Sequence, residues 1–219
     1  DPRTDGQGAA WLRERGIAVE MGLMAEEAAR AMAGFVLGQM LGRPHVTLKL
    51  GLSLDGQIAL SDGSSRWITG PQARAHAHME RARHDAILVG GGTLRADAPK
   101  LDVRMAGLAD RSPRRVLLSR GEAPEGWERI GVPEEIAALD RVDHLLVEGG
   151  AATAAAFLRA DLVDRLLLYR APILIGNGLA GIGDIGLTDL GEAHGRWRLI
   201  DARRLGADGL EVYEVVRSA

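Results

Sequence analysis

Lys49, Asp97 and Glu148 each fall at or just beyond an apolar run, where a side chain can reach over the rim of a parallel sheet toward a ligand. An ammonium and two carboxylates in such places are candidates for moving protons. Arg81 and Arg104 are candidate phosphate ligands, because two guanidinium groups converging from a helix and a loop grip a phosphate with charge-assisted bonds. Two glycine junctions add to this. Gly90, Gly91 and Gly92 follow the apolar run Ala86 to Val89, and Gly149-Gly150 separates Leu145 to Glu148 from the helix-forming Ala151 to Leu158. Glycine lets backbone approach a ligand closely, and a helix starting beside it offers unpaired N–H groups to an anion. A phosphate-rich ligand is the expectation. The spacing G-x-G-x-x-G is absent from both junctions, which argues against an ordinary dinucleotide-binding Rossmann site.

The same residues have plainer readings. Strand-glycine-helix turns are common in α/β proteins, Lys49 could reach solvent from a sheet rim, Asp97 could cap the turn before Pro99, and Trp67 could be core. Of the six histidines, His76 and His78 stand two apart, a spacing that does not share a helical face, and the rest are isolated, so no metal site is expected.

The elements that must position these groups follow from periodicity. Asp5 starts a short helix through Trp11 to Arg15, a strand is predicted at Ile17 to Met21, and one amphipathic helix at Ala25 to Leu41 ending at Gly42. From His45 onward, Val46, Leu48, Leu50, Leu52 and Leu54 alternate with Thr47, Lys49, Gly51, Ser53 and Asp55, which predicts a strand with one apolar and one polar face. Asp55-Gly56 turns the chain into a short strand at Gln57 to Leu60, and Thr69-Gly70-Pro71 opens a helix running to about Arg83. Further strands are predicted at Ala86 to Val89, Val116 to Ser119, Leu145 to Val147, Arg165 to Leu168 and Ile173 to Ile175, with helices at Pro133 to Leu139 and Ala151 to Leu158. Gly176 to Gly186 reads as a flexible loop, and Trp197 to Arg203 with Leu210 to Val216 as an antiparallel hairpin. The expected fold is α/β: a mixed, mostly parallel sheet, helices on both faces, and a C-terminal hairpin.

Composition narrows the function class. The 219 residues suit one domain with a small appendage, and 27 basic against 30 acidic residues give a net charge of -3, so no nucleic-acid footprint is expected. There are no cysteines, which excludes disulfides and thiolate metal sites. Without an apolar leader or a run of about 18 apolar residues, no membrane association and a cytoplasmic location are the expectation.

Several ordered runs carry a resemblance. K-L-G-L-S-L-D-G (Lys49 to Gly56), S-R-W-I-T-G-P-Q-A-R (Ser65 to Arg74), G-G-G-T-L-R-A-D-A-P-K-L-D-V-R (Gly90 to Arg104) and V-E-G-G-A (Val147 to Ala151) closely resemble the reductase half of the bifunctional riboflavin-biosynthesis deaminase/reductase. The resemblance implies a reductase domain at 43–219, with 1–42 the end of a deaminase domain and its connector. The deaminase's zinc signature is absent, so deamination is not expected of this chain. Between Ser119 and Leu145 the chain is shorter than the family pattern, in which one more strand precedes V-E-G-G.

By this resemblance the fold is dihydrofolate-reductase-like, the cofactor NADPH, and the enzyme a homodimer. The implied reaction reduces the ribosyl group of 5-amino-6-(5-phosphoribosylamino)uracil to ribityl by hydride transfer to the sugar C1′. For the cofactor, it points to Gly51, Trp67, Thr93, Asp97, Ser119 and the helix start Gly150, Ala151, Ala152, Thr153, Ala154, Ala155 and Ala156, with Ser119 and Arg120 near the 2′-phosphate. For the phosphorylated pyrimidine substrate, it points to Ser65, Arg81, Leu101, Arg104 and Glu148, and Lys49, Asp97 and Glu148 are left as the catalytic candidates. Two alternatives stand beside it: a reductase of the same fold acting on another heterocycle such as a pterin, and a nucleotide-binding or oligomerisation module without activity.

Overall fold

The computed structural model describes residues 4–217. In chain order its elements are helices α1 (Gln7–Glu14), α2 (Ala25–Ala31) and α3 (Ala33–Leu41), strands β1 (His45–Leu52) and β2 (Gln57–Leu60), helix α4 (Pro71–Ala82), strand β3 (Ala86–Gly90) and helix α5 (Gly91–Asp97). Strands β4 (Arg114–Leu118), β5 (Glu128–Ile130) and β6 (His144–Val147), helix α6 (Ala151–Arg159), and strands β7 (Arg165–Arg170), β8 (Gly178–Ala180), β9 (Trp197–Leu205) and β10 (Asp208–Val215) complete it.

An eight-stranded sheet has the order β5-β4-β3-β6-β1-β7-β10-β9. Strands from β5 to β7 in that order run parallel, whereas β10 is antiparallel to both β7 and β9. The chain leaves β1, builds outward through β3, β4 and β5, and then returns to insert β6 between β3 and β1. The carboxyl ends of β3, β6 and β1 therefore stand side by side, the place where open α/β sheets bind ligands.

Both faces of β1 are covered. Val46, Leu48 and Leu50 pack with Leu88, Val147 and Phe157 of α6 on one side. On the other, Ala73 and Ala77 of α4 pack on Leu167 and Tyr169, and Leu94 of α5 packs on Ile87 and Val89. The alternation correctly placed Thr47 and Lys49 opposite the leucines, but Thr47 is buried rather than solvated, because a central parallel strand has helices on both sides. α4 begins where Pro71 was expected to start it, and the Asp208 carboxylate accepts the Gly70 N–H at 2.6 Å.

Several local expectations are corrected. Ile17 to Met21 forms no strand, for it pairs with no neighbour, and an isolated strand leaves its polar backbone unpaired. The single helix predicted over Ala25 to Leu41 breaks at Met32, and only the second piece packs: Gly34 lies so close to the Asp143 carbonyl and the His144 ring that a Cβ would collide with both. Ile173 to Ile175 is irregular, its backbone tied to Asp55, which accepts N–H bonds from Ile175 and Gly176. The strand lies just beyond, inside the predicted flexible loop: β8 pairs antiparallel with β2 as a two-stranded flap. Pro133–Ala138 is a 3-10 turn rather than an α-helix, burying Ile136. The segment before V-E-G-G holds β5 at the sheet edge, where a strand was thought to be missing.

Candidate functional site

A cavity of about 1300 Å³ opens over the carboxyl ends of β3, β6 and β1. Glu148, the residue after β6, forms its charged floor. Arg81 of α4 clamps the carboxylate with two hydrogen bonds, Nε to Oε1 at 2.8 Å and Nη2 to Oε2 at 2.9 Å. Lys49 of β1 brings its Nζ to 3.8 Å from Oε2 and lies over the Tyr169 ring, 5.6 Å from its centroid. Burial alone would raise the Glu148 pKa, but Lys49, the Arg81 hydrogen bonds and charge, and His78 outweigh it and hold the carboxylate at about 2. Glu148 is thus an anion at neutral pH. Arg81 is correspondingly held more firmly protonated: burial opposes its charge, and the Glu148 contact outweighs burial.

The opposite wall is built from the two glycine junctions. Gly90 to Gly92 runs straight into α5, a helix that the glycines masked in the sequence. The Gly150 N–H donates to Thr93 Oγ1 at 3.2 Å, which ties the two junctions together. A Cβ at Gly90 or Gly149 would collide with the Thr153 side chain, so the close packing of these loops requires glycine. The α6 N-terminus at Gly150 has no side-chain cap, and Ala151, Ala152 and Thr153 line the cavity.

Of the residues predicted from sequence, Lys49, Gly51, Ser65, Trp67, Arg81, Thr93, Asp97, Arg104, Glu148, Gly150, Ala151, Ala152 and Thr153 all line this one cavity. Others stand apart from its wall. Ala154 and Ala155 are buried on the far side of α6, since the helix turns them into the core, and Ala156 is also off the wall. Leu101 is 3% exposed and packs with Ile87 and Leu117. Ser119 lies just outside, beside Gly91, where Arg95 Nη1 also approaches. Arg81 and Arg104, expected to grip one phosphate together, both line the cavity; the Arg81 guanidinium pairs with Glu148 and the Asp102 carbonyl, while Arg104 is exposed.

Sequence reasoning missed three contributors. Arg66, off the cavity wall itself, donates to the Asp97 carbonyl at 3.1 Å and pairs with its carboxylate at 3.6 Å, which holds the lining residue Asp97 in place. Arg74 lies over Trp67, 4.7 Å from the ring centroid, beside an indole residue that is 66% exposed and so not core. His78 lines the cavity from α4; its position three residues before Arg81 on one helix face was the available signal.

A family model described as the RibD C-terminal domain matches residues 44–210. The chain belongs to the RibD C-terminal domain family. Riboflavin biosynthesis protein RibD of Mycobacterium tuberculosis is 39% identical over an alignment that spans 93% of this chain and 64% of that protein. The chain thus spans slightly under two thirds of that RibD's length. Among solved structures, Acinetobacter baumannii RibD superposes with a TM-score of 0.83 at 28% identity, covering 97% of this chain and 69% of that one. A Thermotoga maritima diaminohydroxyphosphoribosylaminopyrimidine deaminase/5-amino-6-(5-phosphoribosylamino)uracil reductase gives 0.81 at 26% identity, covering 95% and 67%. These RibD neighbours and the sheet order bear out the dihydrofolate-reductase-like fold. Among the described residues no helix is long and apolar enough to cross a membrane.

Proposed function

We propose that this chain is an NADPH-dependent reductase converting the ribosyl group of 5-amino-6-(5-phosphoribosylamino)uracil to ribityl. The observation that carries this reading is the Lys49-Glu148-Arg81 floor lying in the same cavity as the uncapped start of α6, in a RibD-family chain.

The residues fit a nicotinamide dinucleotide. Unpaired N–H groups and the dipole at Ala151 to Thr153 suit a pyrophosphate. Gly51, Trp67, Thr93 and Asp97 line the same cavity and would help hold the cofactor, and Ser119 with Arg120 would meet the 2′-phosphate that selects NADPH. When bound, that cofactor supplies the hydride. The chain's own groups orient the sugar and handle the proton. Glu148, ionised and buried, is an acceptor for a pyrimidine N–H or sugar hydroxyl and has no proton to give. Arg81 does not deprotonate. Of the three floor groups, only Lys49 can donate a proton to the nitrogen or oxygen that becomes basic, and Glu148 holds its ammonium in place. Ser65 and Arg104 meet the substrate from the rim, with Arg104 left for the phosphate.

We further infer a cytoplasmic homodimer, with 43–219 the reductase domain and 1–42 the end of a deaminase domain. The family match starting at residue 44 supports the division, and exposed Trp11, Met24, Phe35 and Met40 support an apolar contact made by the N-terminal segment.

Purified protein given NADPH and the phosphoribosylaminopyrimidine should lose nicotinamide absorbance as the ribityl product forms. Tight NADPH binding without turnover would refute the enzyme reading, and preferential turnover of a pterin would refute the substrate.

A further inference from the structure

The loop carrying Arg104 is held to α4 by two side chains. Arg81 Nη1 donates to the Asp102 carbonyl at 3.1 Å. His78 Nδ1 lies 3.1 Å from that same carbonyl and 3.3 Å from the backbone nitrogen of Arg104. One ring nitrogen either donates or accepts. A carbonyl can accept two bonds, but this one already has a donor in Arg81, whereas the Arg104 N–H has no other acceptor among the described residues; an accepting Nδ1, with the ring proton on Nε2, leaves neither group unpaired. The Arg104 side chain itself is 61% exposed and pairs only loosely, Nε to Asp102 Oδ1 at 3.5 Å. The contact that ties Arg104 to α4 is thus its backbone N–H.

We propose that His78 is a positioning residue: its neutral imidazole anchors the Arg104 backbone through Nδ1 and so directs the Arg104 guanidinium toward the phosphate of a substrate lying over the Lys49-Glu148-Arg81 floor. The inference rests on the reductase reading above. Burial, Arg81 and Arg104 lower the His78 pKa, outweighing the Asp102 carbonyl and Glu148, so the ring keeps its accepting lone pair at neutral pH. The charged groups around it are Arg81 on α4, Asp102 and Arg104 on the loop, Glu148 after β6 and Lys49 on β1. Protonation would replace the lone pair with a donor and release the Arg104 N–H.

His78→Leu should raise KM for the phosphoribosylaminopyrimidine about tenfold, the equivalent of one net hydrogen bond, with kcat and the NADPH Kd unchanged. His78→Asn, whose amide oxygen can accept the same N–H, should restore KM to within about twofold of wild type. In an Arg104→Ala background, His78→Leu should add nothing, because both changes remove one unit. Nitrogen NMR of the His78 ring, read without substrate, should show the Nε2–H tautomer. An active wild type beside a His78→Leu variant of unchanged KM overturns the role of His78, as does full additivity with Arg104→Ala or an Nδ1–H tautomer. Wild-type protein that fails to oxidise NADPH overturns instead the reductase reading, and with it the role given to Arg104.

Discussion

Glu148→Gln isolates the electrostatic arrangement of the cavity floor with almost no change in volume. It leaves the half-buried Lys49 ammonium and the Arg81 guanidinium converging on a neutral amide. The carboxyl is held at about 2 against an ordinary value of 4.5, a gap worth on the order of 3 kcal/mol at 1.36 kcal/mol per pH unit. That agrees with the roughly 3–5 kcal/mol lost when one member of a buried ion pair is removed. For a chain of this length each kcal/mol moves the thermal midpoint by roughly 2–4 °C, so the variant should melt about 6–12 °C below wild type at neutral pH. The folded pKa lies below the unfolded one. The contribution is therefore complete above pH 4.5 and is lost as pH falls toward about 2, where wild-type Glu148 is itself protonated. Calorimetric midpoints of the two proteins should differ by a constant amount from pH 7 to about 5 and converge below 4.5. Taking the difference cancels every other carboxylate. Equal midpoints at neutral pH, or a gap that persists unchanged into acid, would refute the reasoning.

Two further substitutions test the scaffold. Gly90→Ala should cost about 1–3 kcal/mol in urea unfolding, because its Cβ would collide with Thr153 Oγ1, and Thr153→Ala should recover most of that loss; simple additivity would contradict the packing argument. Asp164→Asn should cost about 3 kcal/mol, since the buried carboxylate accepts Arg43 at 2.7 and 2.9 Å, Arg217 at 2.9 Å and the Val46 N–H at 2.8 Å; an unchanged denaturation midpoint would rule out this anchoring of β1.

Much of the cavity was legible in the chain. The glycine junctions, the proline-started helix and Lys49 and Gly51 of the first strand all placed residues on the cavity wall, because backbone freedom and side-chain period are local properties. What failed was also physical. Three consecutive glycines hid α5, since glycine carries no helix signal although α5 starts at Gly91. Met32 gave no sign of a helix break, which arises where Gly34 must meet the 143–144 loop. The flap strand β8 lay in a glycine-rich stretch whose pairing partner β2 is more than a hundred residues earlier.

By itself, the sequence determined which residue types reach the rim and how each nearby element winds, since dihedral preference and periodicity act over a few positions. Only the tertiary structure decided how the charges pair. Inserting β6 beside β1 set Glu148 between Lys49 and Arg81, so that a residue expected at a phosphate clamps a carboxylate, and packing the Arg104 loop on α4 set the Arg104 N–H against His78. Such partnerships depend on distances of a few ångströms between residues far apart in the chain, and a Coulomb or hydrogen-bond term at that range has no counterpart in local sequence.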